Sequence, residues 1–177
     1  MACRLAHCML ALALAHAAAA AMPQEAVCAD SLRAAAMAEE MAMNAPGTQA
    51  ADFAMRLADG SEVSLRGFRG APLLLVLFDP DCGHCAQALA ELPAVLPREL
   101  PVLAVYADGD EALWPRAMAA VPDGWTAALD TEGVYAGGLY SPEFSPGLYL
   151  LDGAGRVIAR GSSAADIRAA LIDNRMY

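Results

Sequence analysis

Cys82 and Cys85 are the residues of this 177-residue chain whose type and spacing most clearly indicate chemistry. Two cysteines separated by Gly83 and His84 can form a redox-active disulfide, half of a zinc site, or part of a packed core. A closed zinc site needs four ligands, and only Cys28 and His84 could add to the pair. Because His84 lies within the same turn, its direction suits a tetrahedral site poorly. We therefore predict a redox dithiol that uses neither a metal nor a cofactor.

The elements around the pair predict where its sulfurs lie. The apolar run 71–78 comes shortly before it and indicates a central strand that is covered on both faces. Helical spacing follows over 82–92 and stops at Pro93. At such a strand-to-helix junction, the unpaired N–H groups and the helix dipole stabilise an anion. Cys82 is then the thiolate that attacks, and Cys85 is the thiol that resolves the mixed disulfide.

The rest of the chain alternates between predicted strands and helices. Apolar and polar residues alternate on both sides of Asp59-Gly60, which predicts a β-hairpin with a tight two-residue turn. Ser162 or Ser163 is a plausible cap of the last helix. Together the elements predict a mixed α/β sheet with helices on both faces. Further strands are predicted at 102–106, 125–129, 147–151 and 156–160, and further helices at 110–120, 130–139 and 163–173.

The charge of the chain excludes several kinds of partner and site. It carries 21 acidic residues against 11 arginines and no lysine, for a net charge of −10. Such a surface repels phosphate backbones and anionic lipid headgroups, so nucleic acid is not an expected partner. Histidine is also scarce, with three in the whole chain. Only His84 lies outside residues 1–21, the predicted signal peptide, so metal sites built from several histidines, and a hydrolytic triad based on a histidine elsewhere, have no residues to use.

Residues 1–21 have the pattern of a secretory signal peptide. Arg4 precedes an apolar stretch that ends in the small residues 19–21. An uncleaved membrane anchor and a lipoprotein are the alternatives, although a stretch rich in alanine is weak when about 20 strongly apolar residues are needed. We expect an exported protein that contacts a membrane only if this segment is kept.

Residues 22–46 form a predicted N-terminal helical segment. Its amphipathic pattern runs over 25–44 and ends at a cluster of helix-breaking residues, 44–47. Cys28 lies on this helix, and we interpret it as a small buried hydrophobic residue. An intermolecular disulfide and exchange with the dithiol are the alternative roles for this cysteine.

The order of these elements resembles the thioredoxin superfamily. Within it, residues 47–172 are similar to the periplasmic or membrane-tethered thiol-disulfide oxidoreductases of the TlpA and ResA kind. The resemblance implies a thioredoxin fold over 47–177, with a central mixed β-sheet flanked by helices and an N-terminal β-hairpin extension, in the periplasm. The matching segments are Ala51-Asp52-Phe53, Asp59-Gly60, Leu150-Leu151-Asp152-Gly153 and Phe78-Asp79-Pro80-Asp81-Cys82-Gly83-His84-Cys85, the last being similar to a Bacteroidetes form of the active site.

The resemblance also implies roles for neighbours of the dithiol. Pro146 is expected to be a cis proline that faces the disulfide, and Ser145 to offer backbone groups to a bound peptide. Gly83 leaves room for a substrate chain. His84 either adds positive charge beside the Cys82 sulfur or is an ordinary solvated helix residue.

Two positions depart from the family pattern. Val76 stands where many thioredoxins carry a buried acid that assists proton transfer, and Asp81 replaces an aromatic residue before the first cysteine. With Asp79, Asp81 is expected to raise the pKa of Cys82, against the helix dipole and His84. The sequence leaves this balance open. Both aspartates otherwise suit a turn and a helix start, with proton transfer by Asp81 as the sharper alternative.

The function predicted from these residues is thiol-disulfide exchange with disulfides of exported proteins. The second partner is an unidentified thiol electron donor or acceptor. The resemblance favours a reductase, but an oxidase or isomerase stays open because the reduction potential decides the direction. A redox-inactive binding module is the alternative from another class. A thiol peroxidase is expected to carry a Thr-x-x-Cys motif, where this chain has Asp79, and copper delivery would need a distant histidine.

Overall fold

The computed structural model describes residues 42–142 and 145–176. The predicted signal peptide, most of the predicted N-terminal helical segment and Cys28 lie outside these residues. The domain boundary at residue 47 therefore stays a prediction. Within the described part, no helix is long and apolar enough to cross a membrane.

Seven strands form one mixed sheet in the order β2-β1-β5-β4-β3-β6-β7. The central β3 pairs in parallel with β4 and antiparallel with β6, and all of its residues are buried. This agrees with the position predicted from its apolar run. The strands are β1 (Ala54–Leu57), β2 (Glu62–Ser64), β3 (Leu73–Phe78), β4 (Val102–Tyr106), β5 (Thr126–Asp130), β6 (Gly147–Leu151) and β7 (Val157–Gly161).

Three α-helices of the described residues pack against one face of this sheet: α1 (Gly83–Glu91), α2 (Trp114–Ala120) and α3 (Ala164–Asp173). The first two connect β3 to β4 and β4 to β5, which are parallel pairs. Such crossovers are nearly always right-handed, so two that step the same way across the sheet leave their helices on the same face. The fold is thus an α/β sheet flanked by helices, as predicted.

Among residues 42–142 and 145–176, a 3-10 turn and irregular segments cover the opposite face of the sheet, so the predicted helix on this face is not found among them. Leu73, Leu75 and Leu77 point to this face. Within the described part they pack under Leu65, which begins the 3-10 turn Leu65–Phe68, and under side chains of irregular segments such as Tyr140.

The predicted helix after β5 (130–139) is wrong, because this segment forms turns. The Asp130 carboxylate accepts hydrogen bonds from the amides of residues 132–134, at 2.7 to 3.1 Å. The Asp108 carboxylate accepts those of residues 135–136, at 2.9 and 2.8 Å. Side chains that bind amides in this way compete with helix formation.

The hairpin between β1 and β2 is present, but its loop has three residues instead of the predicted two. The Leu57 amide donates to the Ser61 carbonyl at 2.9 Å, and the Gly60 amide donates to the Leu57 carbonyl at 2.9 Å. Gly60 has a φ of +86°. A three-residue loop that ends in a left-handed glycine suits Asp-Gly as well as the shorter turn does.

The last helix begins with a capping box. The Ser163 hydroxyl, one of the two predicted caps, accepts the Asp166 amide at 3.2 Å. In return, the Asp166 carboxylate accepts the amides of Ser162 and Ser163, each at 3.0 Å. The capping box thereby satisfies the Asp166 amide in the first turn of α3 and the two amides just before the helix.

Candidate active site

Cys82 lies at the N-cap of α1, directly after the turn that leaves β3. Its sulfur accepts a hydrogen bond from the Cys85 amide at 3.3 Å. Asp79 builds the turn, because its carboxylate accepts the Asp81 amide at 2.7 Å and its carbonyl accepts the Cys82 amide at 3.1 Å. The strand-to-helix junction therefore directs the Cys82 sulfur at the unpaired amides of the first helical turn.

The pKa of Cys82 is lower than that of an ordinary cysteine. Burial is the largest single influence and raises the pKa, but it is outweighed by hydrogen bonds. These come from the thiol and amide of Cys85, the Ser145 side chain and the His84 amide. Each of them favours the thiolate over the thiol. Cys82 is also partly exposed, so the sulfur that ionises more easily is the accessible one.

Cys85 is buried and shifts in the opposite direction. Burial raises the pKa of Cys85 to about 11, and the neighbouring Cys82 adds to this shift. The Asp79 backbone and the Ser145 side chain oppose it only in part. At neutral pH, Cys85 is therefore a thiol beside a sulfur that forms a thiolate.

Ser145 and Pro146 lie across from the dithiol. The bond between them is cis, as the resemblance implied. The Ser145 hydroxyl oxygen is 3.4 Å from the Cys85 sulfur and 4.0 Å from the Cys82 sulfur. Pro146 is buried and precedes β6, the strand paired with β3. The structure thus brings Cys82, Cys85 and Ser145 together.

No protein-family model matches the chain, and no curated protein matches it. Solved structures do match. A conserved protein of unknown function from Bacteroides fragilis is 31% identical, with a TM-score of 0.60 over 73% of this chain and 98% of that one. A thioredoxin-like protein from Bacteroides caccae is 25% identical, with a TM-score of 0.72 over 82% of this chain.

The chain belongs to the thioredoxin superfamily. It spans 55% of the length of the Bacteroides caccae protein. The thioredoxin domain of a thiol-disulfide oxidoreductase from Bacteroides vulgatus shares the same fold, with a TM-score of 0.62 at 20% identity over 73% of this chain and 97% of that one. These neighbours share the mixed sheet flanked by helices.

Arg116 is a neighbour of this thioredoxin-superfamily dithiol that the sequence did not indicate. It lies on α2, and its guanidinium is 2.5 Å from the carboxylate of the exposed Asp81. It also donates to the Pro80 carbonyl at 3.4 Å. Asp81 is not among the groups that shift the pKa of Cys82. The direction that the sequence left open is thus downward, with the charge of Asp81 balanced by a cation.

Other predicted neighbours take less direct positions. His84 is exposed on the first turn of α1, and its backbone amide, not its ring, acts on Cys82. Gly83 is also exposed, and a Cβ built there would meet no atom within 4 Å. The space beside Gly83 is therefore open, as expected. Val76 is fully buried in the apolar cluster that contains Cys85, so no acid occupies the family's usual position.

Two open grooves meet at Ser145. One has a volume of about 360 Å³ and is lined by residues that include His84 and Glu91. The other has a volume of about 470 Å³ and is lined by residues that include Asp79 and Tyr135. Ser145 lines both grooves, and each of them also has an acidic residue in its lining. Tyr135 is a second neighbour of the site that the sequence did not indicate. The predicted helix over 130–139 gave no reason to place Tyr135 near Ser145.

Proposed function

We propose that the protein is a thiol-disulfide oxidoreductase that exchanges the Cys82/Cys85 dithiol with disulfides of exported proteins. The observation that carries the proposal is the opposite shift of the two cysteine pKa values beside Ser145 and the cis Pro146. Thiol-disulfide exchange needs one accessible thiolate that attacks and one thiol held in reserve. A scaffold that only binds partners has no need for this difference.

The reaction has two exchange steps. The Cys82 thiolate attacks one sulfur of a substrate disulfide, the other substrate sulfur leaves with the electron pair of the broken bond, and that sulfur takes up a proton. Cys85 then attacks the Cys82 sulfur of the mixed disulfide. The Cys82–Cys85 disulfide forms, and the second substrate sulfur leaves and takes up the proton that Cys85 lost. The substrate gains two electrons and two protons, and an external thiol donor later returns the enzyme to its dithiol form.

We propose a reductase of the TlpA and ResA kind, with the Bacteroidetes form of the active site. The support is the sequence resemblance together with Bacteroides structures of the same fold. The reduction potential tests the direction, measured by equilibration with glutathione. A value near that of thioredoxin, about −270 mV, supports a reductase, whereas a value near about −120 mV would identify an oxidase.

Insulin reduction tests the exchange activity itself. The protein is expected to accelerate reduction of insulin by dithiothreitol, and Cys82→Ser is expected to leave only the background rate. Cys85→Ser keeps the attacking sulfur but not the resolving one, so it should accumulate a mixed disulfide that is visible on non-reducing electrophoresis. A wild-type protein no faster than Cys82→Ser would support the redox-inactive binding module instead.

We also propose that the protein acts outside the cytoplasm, in the periplasm. The support is the sequence of residues 1–21, which predicts a signal peptide cleaved near Ala21. The test is N-terminal sequencing of the protein from a fractionated host cell. A new N-terminus near residue 22 in the periplasmic fraction is expected, while an intact N-terminus in the membrane fraction would mean a tether.

A further inference from the structure

The hydroxyl of Tyr135 is buried and has no hydrogen-bond partner among the described residues. The rest of this side chain is only partly buried and lines the groove that also contains Ser145. An unpaired buried hydroxyl is costly and uncommon in native proteins, so it calls for an explanation. Here the explanation lies in what the hydroxyl faces.

Tyr135 is held close to the dithiol by the turns after β5. Its amide donates to the Asp108 carboxylate at 2.9 Å, which fixes the backbone at this position. Burial raises the pKa of Tyr135, and the charges of Tyr149, Cys85 and Asp108 raise it further, while a polar interaction with the nearby Ser145 side chain lowers it. That interaction falls short of hydrogen-bond geometry, so within the described part of the chain the hydroxyl has no partner by distance and angle. The hydroxyl is therefore near enough to Ser145 and Cys85 to be affected by both.

Among the described residues, no carboxylate side chain is one of the groups that shift the pKa of Cys85. The groups that act on its pKa are Cys82, the Ser145 side chain and the Asp79 backbone. The position where many superfamily members place a buried acid is the apolar Val76. Cys85 must nevertheless lose its proton before its sulfur can attack the mixed disulfide.

We propose that Tyr135 is a positioning residue for the resolving step, in which its hydroxyl donates to the Ser145 hydroxyl while Ser145 donates to the Cys85 sulfur. This inference rests on the proposed thiol-disulfide exchange. The two hydroxyls stabilise the Cys85 thiolate in a site where Val76 supplies no acid.

The change in hydrogen bonding follows from the donors available. In the dithiol, either Cys85 or Ser145 can donate across the 3.4 Å between sulfur and oxygen. Once Cys85 is a thiolate, only Ser145 can donate, so the Ser145 hydrogen is fixed on the sulfur and both lone pairs of its oxygen can face Tyr135. Hydrogen bonds to an ionised group are about twice as strong as neutral ones. The unpaired hydroxyl of Tyr135 thus gains its partner when Cys85 ionises.

The resolving step is the second exchange of the proposed reaction. The thiolate of Cys85 attacks the Cys82 sulfur, the Cys82–Cys85 bond forms, and the bond from Cys82 to the substrate sulfur breaks. The departing sulfur keeps the electron pair and takes up the proton that Cys85 gave up. Tyr135 and Ser145 keep their own protons, since they only stabilise the charge on Cys85.

A reaction with 5,5′-dithiobis(2-nitrobenzoate) separates the two steps by stopped flow. Attack by Cys82 releases one coloured thiolate, and resolution by Cys85 releases the second. The protein should carry alanine at Cys3, Cys8 and Cys28, so that all colour comes from the dithiol. A wild-type protein that releases only the first equivalent would overturn the proposed function; two equivalents leave that proposal standing whatever the Tyr135 variant does.

Tyr135→Phe is expected to leave the first phase unchanged and to slow the second by roughly three- to tenfold at pH 7. The pH profile of the second phase should move to higher pH, because Cys85 is then harder to ionise. The matched control is Tyr140→Phe, which removes a buried hydroxyl bonded to the Ala51 carbonyl at 2.7 Å. That variant should change neither phase.

Ser145 variants test whether Tyr135 acts through this hydroxyl. Ser145→Ala is expected to slow the second phase at least as much as Tyr135→Phe, and the double variant no further. Ser145→Thr keeps a hydroxyl, so Tyr135→Phe made in the Ser145→Thr background should again slow the second phase. The inference is overturned if Tyr135→Phe leaves the second phase and its pH profile as they are in Tyr140→Phe, or if it still slows that phase when Ser145 is alanine.

Discussion

Cys82 and Cys85 have the same side chain, and their difference comes from where each lies on one helical turn. Cys82 caps α1 and receives the amide of Cys85, whereas Cys85 points into the apolar cluster beneath β3. The cap could be predicted from the strand-to-helix junction. The burial of Cys85 follows from the three-residue spacing, which turns the second sulfur toward the sheet. The partners of both sulfurs could not be predicted, because Ser145 is far along the chain.

The lowered pKa of Cys82 predicts the pH profile of its alkylation. Iodoacetamide reacts with thiolates, so the rate should rise through a midpoint below about 8.5, the ordinary cysteine value. Cys85, with a pKa of about 11, should stay unlabelled at neutral pH. Mass spectrometry of digested samples checks which cysteine reacts, and Cys82→Ser is the control. Labelling of Cys85 before Cys82 would contradict the assignment.

Arg116 provides a second prediction at this scale. Arg116→Met leaves Asp81 without its cation, so the pKa of Cys82 should rise and alkylation at pH 7 should slow by about two- to threefold. The effect should shrink in about 1 M salt, because the ion pair is exposed. Adding Asp81→Asn should restore the wild-type rate. Arg168→Met on α3 removes the same charge elsewhere and should change little; equal slowing in that variant would point to net charge instead.

The strands with continuous apolar runs formed where the sequence predicted them. The predicted helix after β5 did not form, because side chains there bind the backbone amides. The continuous apolar runs of β3 and β4 predicted their positions closely. After β5, the carboxylates of Asp130 and Asp108 take up amides that a helix would leave free, and turns result. The Asp130 bonds are local, two to four residues apart, whereas the Asp108 bonds depend on the approach of two loops, which periodicity does not record.

The start of α3 allows a prediction of stability. Ser163→Ala removes the side-chain cap and should lower the free energy of unfolding by about 1 kcal/mol. Urea denaturation at pH 7 measures the difference. Asp173→Asn, at the other end of the helix, alters a side chain that no capping bond uses, so it should be close to neutral. A Ser163→Ala protein as stable as the wild type would mean that water replaces the cap.

The same cap makes part of this stability depend on pH. Hydrogen bonds from the Ser162 amide and the Ser163 side chain lower the pKa of Asp166. A carboxyl whose pKa is depressed by folding contributes stability above its unfolded value, about 3.9, and that contribution is lost as the pH falls through the folded value. The difference between wild type and Asp166→Asn should therefore be present at pH 7 and small near pH 2. A constant difference across this range would contradict the capping role of the charge.

The sheet order explains which parts of the site the sequence could not provide. Fold class, strand-to-helix junction and cis proline were all predictable, since each depends on residues that are neighbours in the chain or on the family resemblance. Arg116 and Tyr135 were not, because they reach the dithiol only through the placement of α2 beside α1 and of the β5 turns beside Ser145. Such contacts depend on how the crossovers lie on the sheet.

The charge of the whole molecule predicts a preference among disulfides. With a net charge of −10, and with Asp79 and Glu91 lining the grooves, cationic substrates should be attracted. Cystamine should therefore react at least about tenfold faster than dithiodiglycolate at low ionic strength. The ratio should approach one near 1 M salt. The rate of each disulfide with the protein is divided by the rate of the same disulfide with 2-mercaptoethanol, which carries no charge. A normalised ratio that does not change with salt concentration would contradict electrostatic steering.

In the proposed exchange, the burial of Cys85 also sets how long the protein stays attached to a disulfide substrate. Its high pKa leaves few thiolates for release at neutral pH, and each fall in pH leaves fewer still. When a sample is acidified, release by Cys85 therefore slows, and a mixed disulfide that has already formed on Cys82 is preserved. On the proposed function, rapid acid quenching of living cells should trap the unaltered protein on its disulfide substrates, which mass spectrometry could then identify without a cysteine variant.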